Sequence, residues 1–193
     1  MLVHQGRGRS DVGYAPARLG AGARATLPVM RVHIGCDHAA FELKSRLVRE
    51  LSAVGYEMVD HGAIRLDPAD DYPVYVLRTA VATAADLAAG VPCLGIVLGG
   101  SGNGEQMAAN KVRGIRAALA WNEETARLAR EHNNANVVSI GAREHDEDQA
   151  VALVALFLAT EFSQGARHQR RLAMLDAFEA SGALPPLPAP PAA

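Results

Sequence analysis

The sequence predicts an α/β fold, a Rossmann-like three-layer sandwich in which a five-stranded parallel sheet carries helices on both faces and is followed by a C-terminal helix. Short apolar runs alternate with helical patterns through residues 30–180, and this alternation is typical of a parallel sheet joined by right-handed crossovers. The run at 94–98 is continuously apolar, as expected of a strand that is buried on both faces. These observations favour a single domain over residues 30–180.

The first half of the pattern contains three strands and two helices. A strand at 31–35 precedes a helix over about 40–54, in which leucines recur at helical spacing. A second strand near 56–60 leads through an acidic loop into a helix over about 73–89. The third strand, 94–98, ends at a glycine-rich loop.

The second half contains two strands and four helices. A short helix over about 103–110 follows the glycine-rich loop, and strands are predicted at 116–120 and 136–140. The helix between these strands begins at Asn122 and carries acidic residues in its first turn, where they complement the helix dipole. Two further helices close the domain, over about 146–160 and 165–180.

The two ends differ in composition from this domain. Residues 1–29 contain four arginines, one acidic residue and five glycines without a regular period. They predict a disordered N-terminal extension or a misplaced start codon, with a transit peptide as the alternative. Residues 181–193 are rich in proline and alanine, so they cannot continue a helix and should form a mobile tail.

Composition limits the classes of function. The chain has 193 residues, of which 49% are hydrophobic and 21% charged, enough for one well-buried domain. A net charge of -2 gives no electrostatic footprint for nucleic acid or an anionic membrane, and no apolar run reaches the length of about 18 residues that spans a bilayer. Cys36 and Cys93 lie beside apolar runs, which favours buried thiols in a reducing cytoplasm, although a bridge between them stays open. Small-molecule chemistry is therefore expected.

The glycine-rich loop at 99–104 is the most informative segment. Four of its six residues are glycines, which let the backbone approach a ligand, while N–H groups at the following helix start stabilise negative charge. Glu105 then places a carboxylate beside this anion hole. Glu105 stands where a dinucleotide fingerprint needs glycine or alanine and where a P-loop needs lysine, so neither motif fits. A tight turn whose acid only complements the helix dipole is the alternative.

Polar side chains follow the ends of three predicted strands. Asp37 and His38 follow the first strand, Ser101 to Glu105 follow the third, and Arg143 follows the fifth. Ligands of such folds bind at the C-terminal ends of the strands, so we expect these residues around one site. The histidines, aspartates and cysteines show no recognised metal-ligand spacing, and we therefore predict no metal and no other cofactor.

Six sequence blocks carry a family resemblance. They are Gly-Cys-Asp-His-Ala at 35–39, Asp-Tyr-Pro at 71–73, Gly-Gly-Ser-Gly-Asn-Gly-Glu at 99–105, Ala-Ala-Asn-Lys at 108–111, Glu-His-Asn-Asn-Ala at 131–135 and Arg-His-Gln-Arg-Arg at 167–171. In this order and spacing they resemble the B-type ribose-5-phosphate isomerases, over residues 30 to about 180. The family also includes isomerases of galactose 6-phosphate, allose 6-phosphate and four-carbon sugar phosphates such as erythrose 4-phosphate.

The resemblance implies an aldose-ketose isomerase of the pentose phosphate pathway, which interconverts ribose 5-phosphate and ribulose 5-phosphate through ring opening and an enediolate. Many members carry a catalytic cysteine at the first position of the glycine-rich loop, where this chain has Gly99. The chain resembles instead the actinobacterial branch, in which a glutamate at the start of the following helix replaces the cysteine. Glu105 occupies that place.

Matching positions imply roles for the other residues. Gly100, Gly102, Asn103 and Gly104 would hold the developing oxyanion through backbone N–H groups, and Ser101 would orient a substrate hydroxyl. His132 would open the sugar ring, Asn133 would bind the substrate or enediolate, and Asp37 and Tyr72 would contact the sugar. His38, Arg143, Arg167 and Arg171 match the phosphate-binding set, whereas His168 and Arg170 are expected to face elsewhere.

Simpler roles stay open for several of these residues. Ser101 can be a turn residue, Asp37 a helix N-cap and Tyr72 a packing residue. The His132-Asn133 pair can be a helix terminus, and a basic helix face is often only solvated surface.

The resemblance also implies a homodimer, in some members a tetramer, whose active sites are shared. The glycine-rich loop would come from one subunit and His132 and Asn133 from the other. A non-catalytic sugar-phosphate-binding module on the same scaffold is the alternative from another functional class.

Overall fold

The computed structural model describes residues 29–189 and has one five-stranded parallel sheet among them. The strands are β1 Arg31–Cys36, β2 Glu57–Asp60, β3 Cys93–Gly99, β4 Ala117–Leu119 and β5 Val137–Gly141. Their spatial order is β2-β1-β3-β5-β4, and every neighbouring pair is parallel. The predicted α/β class and five-stranded parallel sheet are confirmed.

Six α-helices in the described range complete the three layers. They are α1 Phe41–Ala53, α2 Tyr72–Ala88, α3 Asn103–Ala109, α4 Glu123–Asn133, α5 Glu147–Ala159 and α6 Ala166–Ser181. Helices α1, α4 and α5 pack on one face of the sheet, where Leu47 and Phe157 are fully buried. Helices α2 and α3 cover the other face, and α6 packs against α4.

Close packing of α2 on the sheet depends on two glycines. Gly35 of β1 and Gly95 of β3 face Thr79 and Thr83 of α2, and a Cβ atom at either glycine would overlap the threonine hydroxyl. Without side chains on these two strand residues, the helix lies directly on the backbone of β1 and β3. This approach brings the start of α2 to the C-terminal edge of the sheet.

The direction in which the chain adds strands to the sheet reverses between β1 and β3. Strand β2 lies on the far side of β1, whereas β5 and β4 lie on the far side of β3. A crevice forms at such a reversal, outside the C-terminal ends of the two strands. A 3-10 turn at His38–Ala40 follows β1, and the glycine-rich loop follows β3. Both segments therefore border the same crevice.

The ends of the chain lie largely outside the described residues. The predicted extension at 1–29 lies outside the described residues except for Val29, and the predicted tail at 181–193 is described only to residue 189.

Cys36 and Cys93 are buried and free. Within residues 29–189 no helix combines the length and the apolar character needed to cross a bilayer.

Candidate active site

A cavity of about 370 Å³ opens at the reversal point of the sheet. Its lining contains eight residues singled out in the sequence: Asp37, His38, Tyr72, Gly100, Ser101, Gly104, Glu105 and Arg143. Ala39 and Glu144 complete it, and Glu144 was not predicted. Residues from four separate segments of the chain therefore meet at one site.

Glu105 is, with Asp37, one of two buried acids that line this cavity. It lies in the first turn of α3 and is 4% exposed. Burial raises the pKa of Glu105 above its usual range, and the neighbouring Asp37 carboxylate adds to the rise. A raised pKa makes a carboxylate a stronger proton acceptor, which suits a general base.

The carboxylate of Glu105 lies over Gly99. A Cβ atom at Gly99 would overlap the Glu105 carboxylate, so residue 99 must be glycine for Glu105 to occupy this position. The family resemblance places a base at residue 99 in many members and at residue 105 here. Side chains at these two positions would occupy the same space.

The glycines of the loop differ in what they contact. Gly102 has φ +78°, and a Cβ there would lie 2.7 Å from Leu119 Cδ1 and 3.0 Å from the Gly141 nitrogen. Its carbonyl accepts a 2.6 Å hydrogen bond from Ser139 Oγ, so Gly102 packs beneath the loop and does not line the cavity. A Cβ at Gly104 would lie 2.7 Å from Tyr72 Cζ, which puts the tyrosine ring directly against the start of α3.

Ser101 and Asn103 form the outer part of the loop. The backbone nitrogen and Nδ2 of Asn103 each donate a hydrogen bond of 3.3 Å to Ser101 Oγ. Ser101 lines the cavity, whereas Asn103 is exposed outside the lining. Ser101 thus serves as a turn residue and also forms part of the cavity wall.

Asp37 and His38 form the opposite wall. Asp37 caps the 3-10 turn by accepting a 3.0 Å hydrogen bond from the Ala39 nitrogen, and burial raises the pKa of Asp37. Asp70 Oδ1 accepts hydrogen bonds from the His38 backbone nitrogen at 3.0 Å and from His38 Nδ1 at 2.8 Å. Sequence reasoning missed Asp70, whose only signal was its place in the acidic loop before α2.

Two side-chain groups among the described residues have the donor atoms for a metal ion: Asp37, His38 and Asp70 at the cavity, and His33, Asp86 and Cys93 at the other end of the sheet. In both groups the histidine and the aspartate are hydrogen-bonded to each other. Asp86 also accepts a 2.7 Å hydrogen bond from Arg31. The Arg31 cation disfavours a metal at His33, Asp86 and Cys93, because it already compensates the charge of the Asp86 carboxylate.

Arg143 reaches the loop from the end of β5. Its backbone nitrogen donates to the Gly100 carbonyl at 3.0 Å, and the Ala142 nitrogen donates to the Gly99 carbonyl at 2.8 Å. These two bonds attach the segment after β5 to the loop after β3. They place the exposed Arg143 side chain at the mouth of the cavity.

The remaining predicted residues form a second group, which does not line this cavity. His132 and Asn133 end α4, and Arg167 and Arg171 lie on α6. The expectation that His168 faces elsewhere is wrong, because its ring lies 4.2 Å from that of His132 and its Nε2 accepts a 2.9 Å hydrogen bond from Arg167 Nε. Within one chain, the candidate residues therefore form two separate groups.

Similarity to known proteins agrees with the sequence blocks. The Ribose/Galactose Isomerase family matches residues 32–175. Ribose-5-phosphate isomerase B of Mycobacterium tuberculosis is 51% identical over 163 residues, which cover 84% of this chain and 98% of that protein. The Escherichia coli protein of the same name is 36% identical over 149 residues, which cover 77% of this chain and 96% of that protein.

Solved structures give the same result. Ribose-5-phosphate isomerase B from Mycoplasma genitalium with bound ribulose-5-phosphate superposes with a TM-score of 0.75 at 36% identity, covering 79% of this chain and 97% of that chain. Type B ribose 5-phosphate isomerase from Trypanosoma cruzi gives a TM-score of 0.72 at 37% identity, covering 78% of this chain and 99% of that chain. The matched range, the identities and the shared fold together show that this chain belongs to the ribose/galactose isomerase family.

Proposed function

We propose that this chain interconverts D-ribose 5-phosphate and D-ribulose 5-phosphate, the activity named for its relatives. The observation that carries the proposal is a buried carboxylate, Glu105, inside a cavity lined by the glycine-rich loop. An aldose-ketose isomerisation needs a base beside hydrogen-bond donors for a developing oxyanion. The cavity combines both in one place.

Glu105 is the base in this proposal. Its carboxylate removes the C2 proton of the open-chain aldose and returns it to C1, and the hydroxyl protons are redistributed between O1 and O2. Backbone N–H groups of the loop stabilise the enediolate oxygen between these steps, a contribution for which one lost donor can lower the rate by about 100- to 1000-fold. Ser101 orients a substrate hydroxyl at the same edge.

Ring opening comes before this proton transfer, because the closed aldose has no carbonyl group to acidify C2. His132 transfers a proton between the C1 hydroxyl and the ring oxygen, Asp37 and Tyr72 contact the sugar, and Asn133 binds the open chain through its amide. His38, Arg143, Arg167 and Arg171 bind the dianionic phosphate, because guanidinium groups form paired hydrogen bonds with phosphate oxygens.

The proposed active site is shared between two subunits. Its support is the separation described above, in which Glu105 lines the cavity while His132 and Arg167 belong to the second group. Helix α2 also exposes Val74, Leu77 and Val81 at helical spacing, and an apolar stripe of this kind suits a subunit contact. We therefore propose a homodimer as the minimal active unit.

Neither a metal nor a cofactor has a step in this mechanism, since a base and oxyanion donors suffice for enediolate chemistry. Full turnover after treatment with EDTA and desalting would support that part of the proposal, and loss restored by a divalent cation would contradict it. The two free, buried cysteines are in keeping with a reducing cytoplasm, which we propose as the compartment.

A substrate panel tests the proposal directly. The kcat/KM values for ribose 5-phosphate, erythrose 4-phosphate, allose 6-phosphate and galactose 6-phosphate should rank ribose 5-phosphate first. A higher kcat/KM for another sugar phosphate would support the same isomerisation with that sugar phosphate as the preferred substrate. Binding without turnover of any of the four would instead identify a sugar-phosphate-binding module.

A further inference from the structure

His168 lies at the centre of the second group and joins three segments of the chain. It is 6% exposed, although its neighbours on α6 are exposed to solvent. Its Nδ1 is 2.9 Å from Ser163 Oγ, its Nε2 is 2.9 Å from Arg167 Nε, and its ring packs against His132. A buried histidine with three specific contacts does more than fill space.

The contacts determine which nitrogen of His168 carries the proton. An arginine Nε–H group can only donate, so His168 Nε2 must be the acceptor and carries no hydrogen. The single proton of the neutral ring then lies on Nδ1 and is donated to Ser163 Oγ. Burial lowers the pKa of His168, and the neighbouring His132, Arg167 and Arg171 lower it further, against the opposing effect of Glu131.

The loop that holds this ring is attached to α4. The Ser163 backbone nitrogen donates to the Glu131 carbonyl at 3.0 Å, one residue before His132. The His168 backbone nitrogen donates to the Gly165 carbonyl at 2.8 Å. The chain of contacts therefore runs without interruption from the end of α4, through Ser163 and His168, to the Arg167 guanidinium.

We propose that His168 is a positioning residue that holds the imidazole of His132 and the guanidinium of Arg167 at a fixed separation. The inference rests on the proposed function, in which His132 opens the ring and Arg167 binds the phosphate. One sugar phosphate must reach both groups at once. A long arginine side chain has many rotamers, and displacement of a reacting group by about 1 Å can lower a rate about 100-fold.

Two substitutions separate the two contacts of His168. His168→Phe keeps a ring against His132 and removes the acceptor for Arg167. His168→Gln removes the ring and keeps an acceptor oxygen near the position of Nε2. We expect His168→Phe to raise the KM for ribose 5-phosphate about tenfold with kcat within about twofold, and His168→Gln to lower kcat about tenfold with KM within about twofold.

Binding of inorganic phosphate, measured by calorimetry, gives a readout that needs no turnover. His168→Phe should weaken this binding about tenfold, while His168→Gln should leave it within about twofold of the unsubstituted protein. His145→Phe is the matched control, because His145 is half-buried beside Trp121 outside the cavity. It should change neither kinetic constant nor phosphate binding.

Ser163→Ala tests the same contacts if His168→Phe does not fold. It removes the acceptor of the Nδ1 proton, so the tautomer that cannot accept from Arg167 becomes available, and KM should rise about threefold with kcat unchanged.

Kinetic constants and phosphate binding like those of the unsubstituted protein in both His168 variants would overturn the proposal. A lower kcat, a higher KM and a lower melting temperature together in both His168 variants would overturn it too, since a purely structural role predicts this combination. Absence of ribose 5-phosphate turnover in the unsubstituted protein would instead refute the proposed function, while the phosphate measurements still test His168.

Discussion

The carboxylate of Glu105 occupies the space that a side chain on Gly99 would need. A base on α3 and a base at the first position of the glycine-rich loop thus compete for one volume. A side chain added at residue 99 displaces the Glu105 carboxylate from its present position, whatever the chemical nature of that side chain.

Gly99→Ala should therefore lower kcat by about 100-fold or more, because it displaces Glu105, the proposed base, without removing it. Gly99→Cys combined with Glu105→Ala should recover more activity than Gly99→Ala, since the thiol then has room and the family resemblance places a base there. Initial rates of ketopentose formation measure both, with circular dichroism as the check on folding. Near-normal turnover of Gly99→Ala would show that Glu105 need not occupy its present position.

Deuterium exchange separates the roles of Glu105 and His132. Ribulose 5-phosphate cannot close to a furanose ring because its C5 oxygen carries the phosphate, so exchange of its C1 hydrogen with D2O requires the base and no ring opening. Glu105→Gln should lower this exchange by about 100- to 10,000-fold. His132→Gln should retain most of the exchange while its turnover of ribose 5-phosphate falls about 100-fold, as NMR can record. Equal loss of exchange in both variants would contradict the separate roles.

Mixed dimers test the proposal that each active site is shared between two subunits. Glu105→Gln and His132→Gln should each have little activity alone, because every site then lacks one group. When the two are unfolded and refolded together in equal amounts, half of the dimers should contain both chains, and each of these has one intact site. About a quarter of normal activity should return, as expected for a symmetric dimer with random pairing. No recovery in a demonstrated mixed dimer would place both groups of each site in one chain.

The buried charge of Glu105 also affects stability. Its pKa is raised in the folded state, so folding favours the protonated form, and the stability from this group is present at low pH and lost as pH rises through the folded pKa. Glu105→Gln should therefore raise the melting temperature at pH 7.5, with a gain that shrinks towards pH 4. Calorimetry across this range measures it, with the exposed Glu161→Gln as control. An equal gain at both pH values would exclude the titration as its cause.

Local periodicity predicted the fold well because each strand and helix depends on neighbouring residues. Helix α4, for example, begins at Glu123, one residue after the predicted start at Asn122, whose side chain caps it. The strand order was open, because the side of the sheet to which each crossover returns is set by packing between distant segments. The 3-10 turn at His38–Ala40 was also missed, because it is a single short turn that comes just before the predicted helix at about 40–54.

The site was predictable where residues follow strand ends and unpredictable where side chains meet across the chain. Asp37, Ser101 and Glu105 share an edge because parallel strands end together. The Asp70 bond to His38 joins residues 32 apart, and no period in the sequence records it. The burial of His168 among exposed residues of α6 depends on the loop around Ser163 and on α4, which a helical pattern in α6 alone does not contain.

The glycine at residue 35 has an effect well beyond its own strand. A methyl group there would press on Thr79 and on the carbonyl of Tyr75, so α2 would have to move outward along its first turns. Tyr72, which begins this helix, would then withdraw from Gly104 and widen the cavity mouth. The tolerance of the protein for mutation near the end of β1 is thereby limited by the shape of the cavity, although residue 35 does not line it.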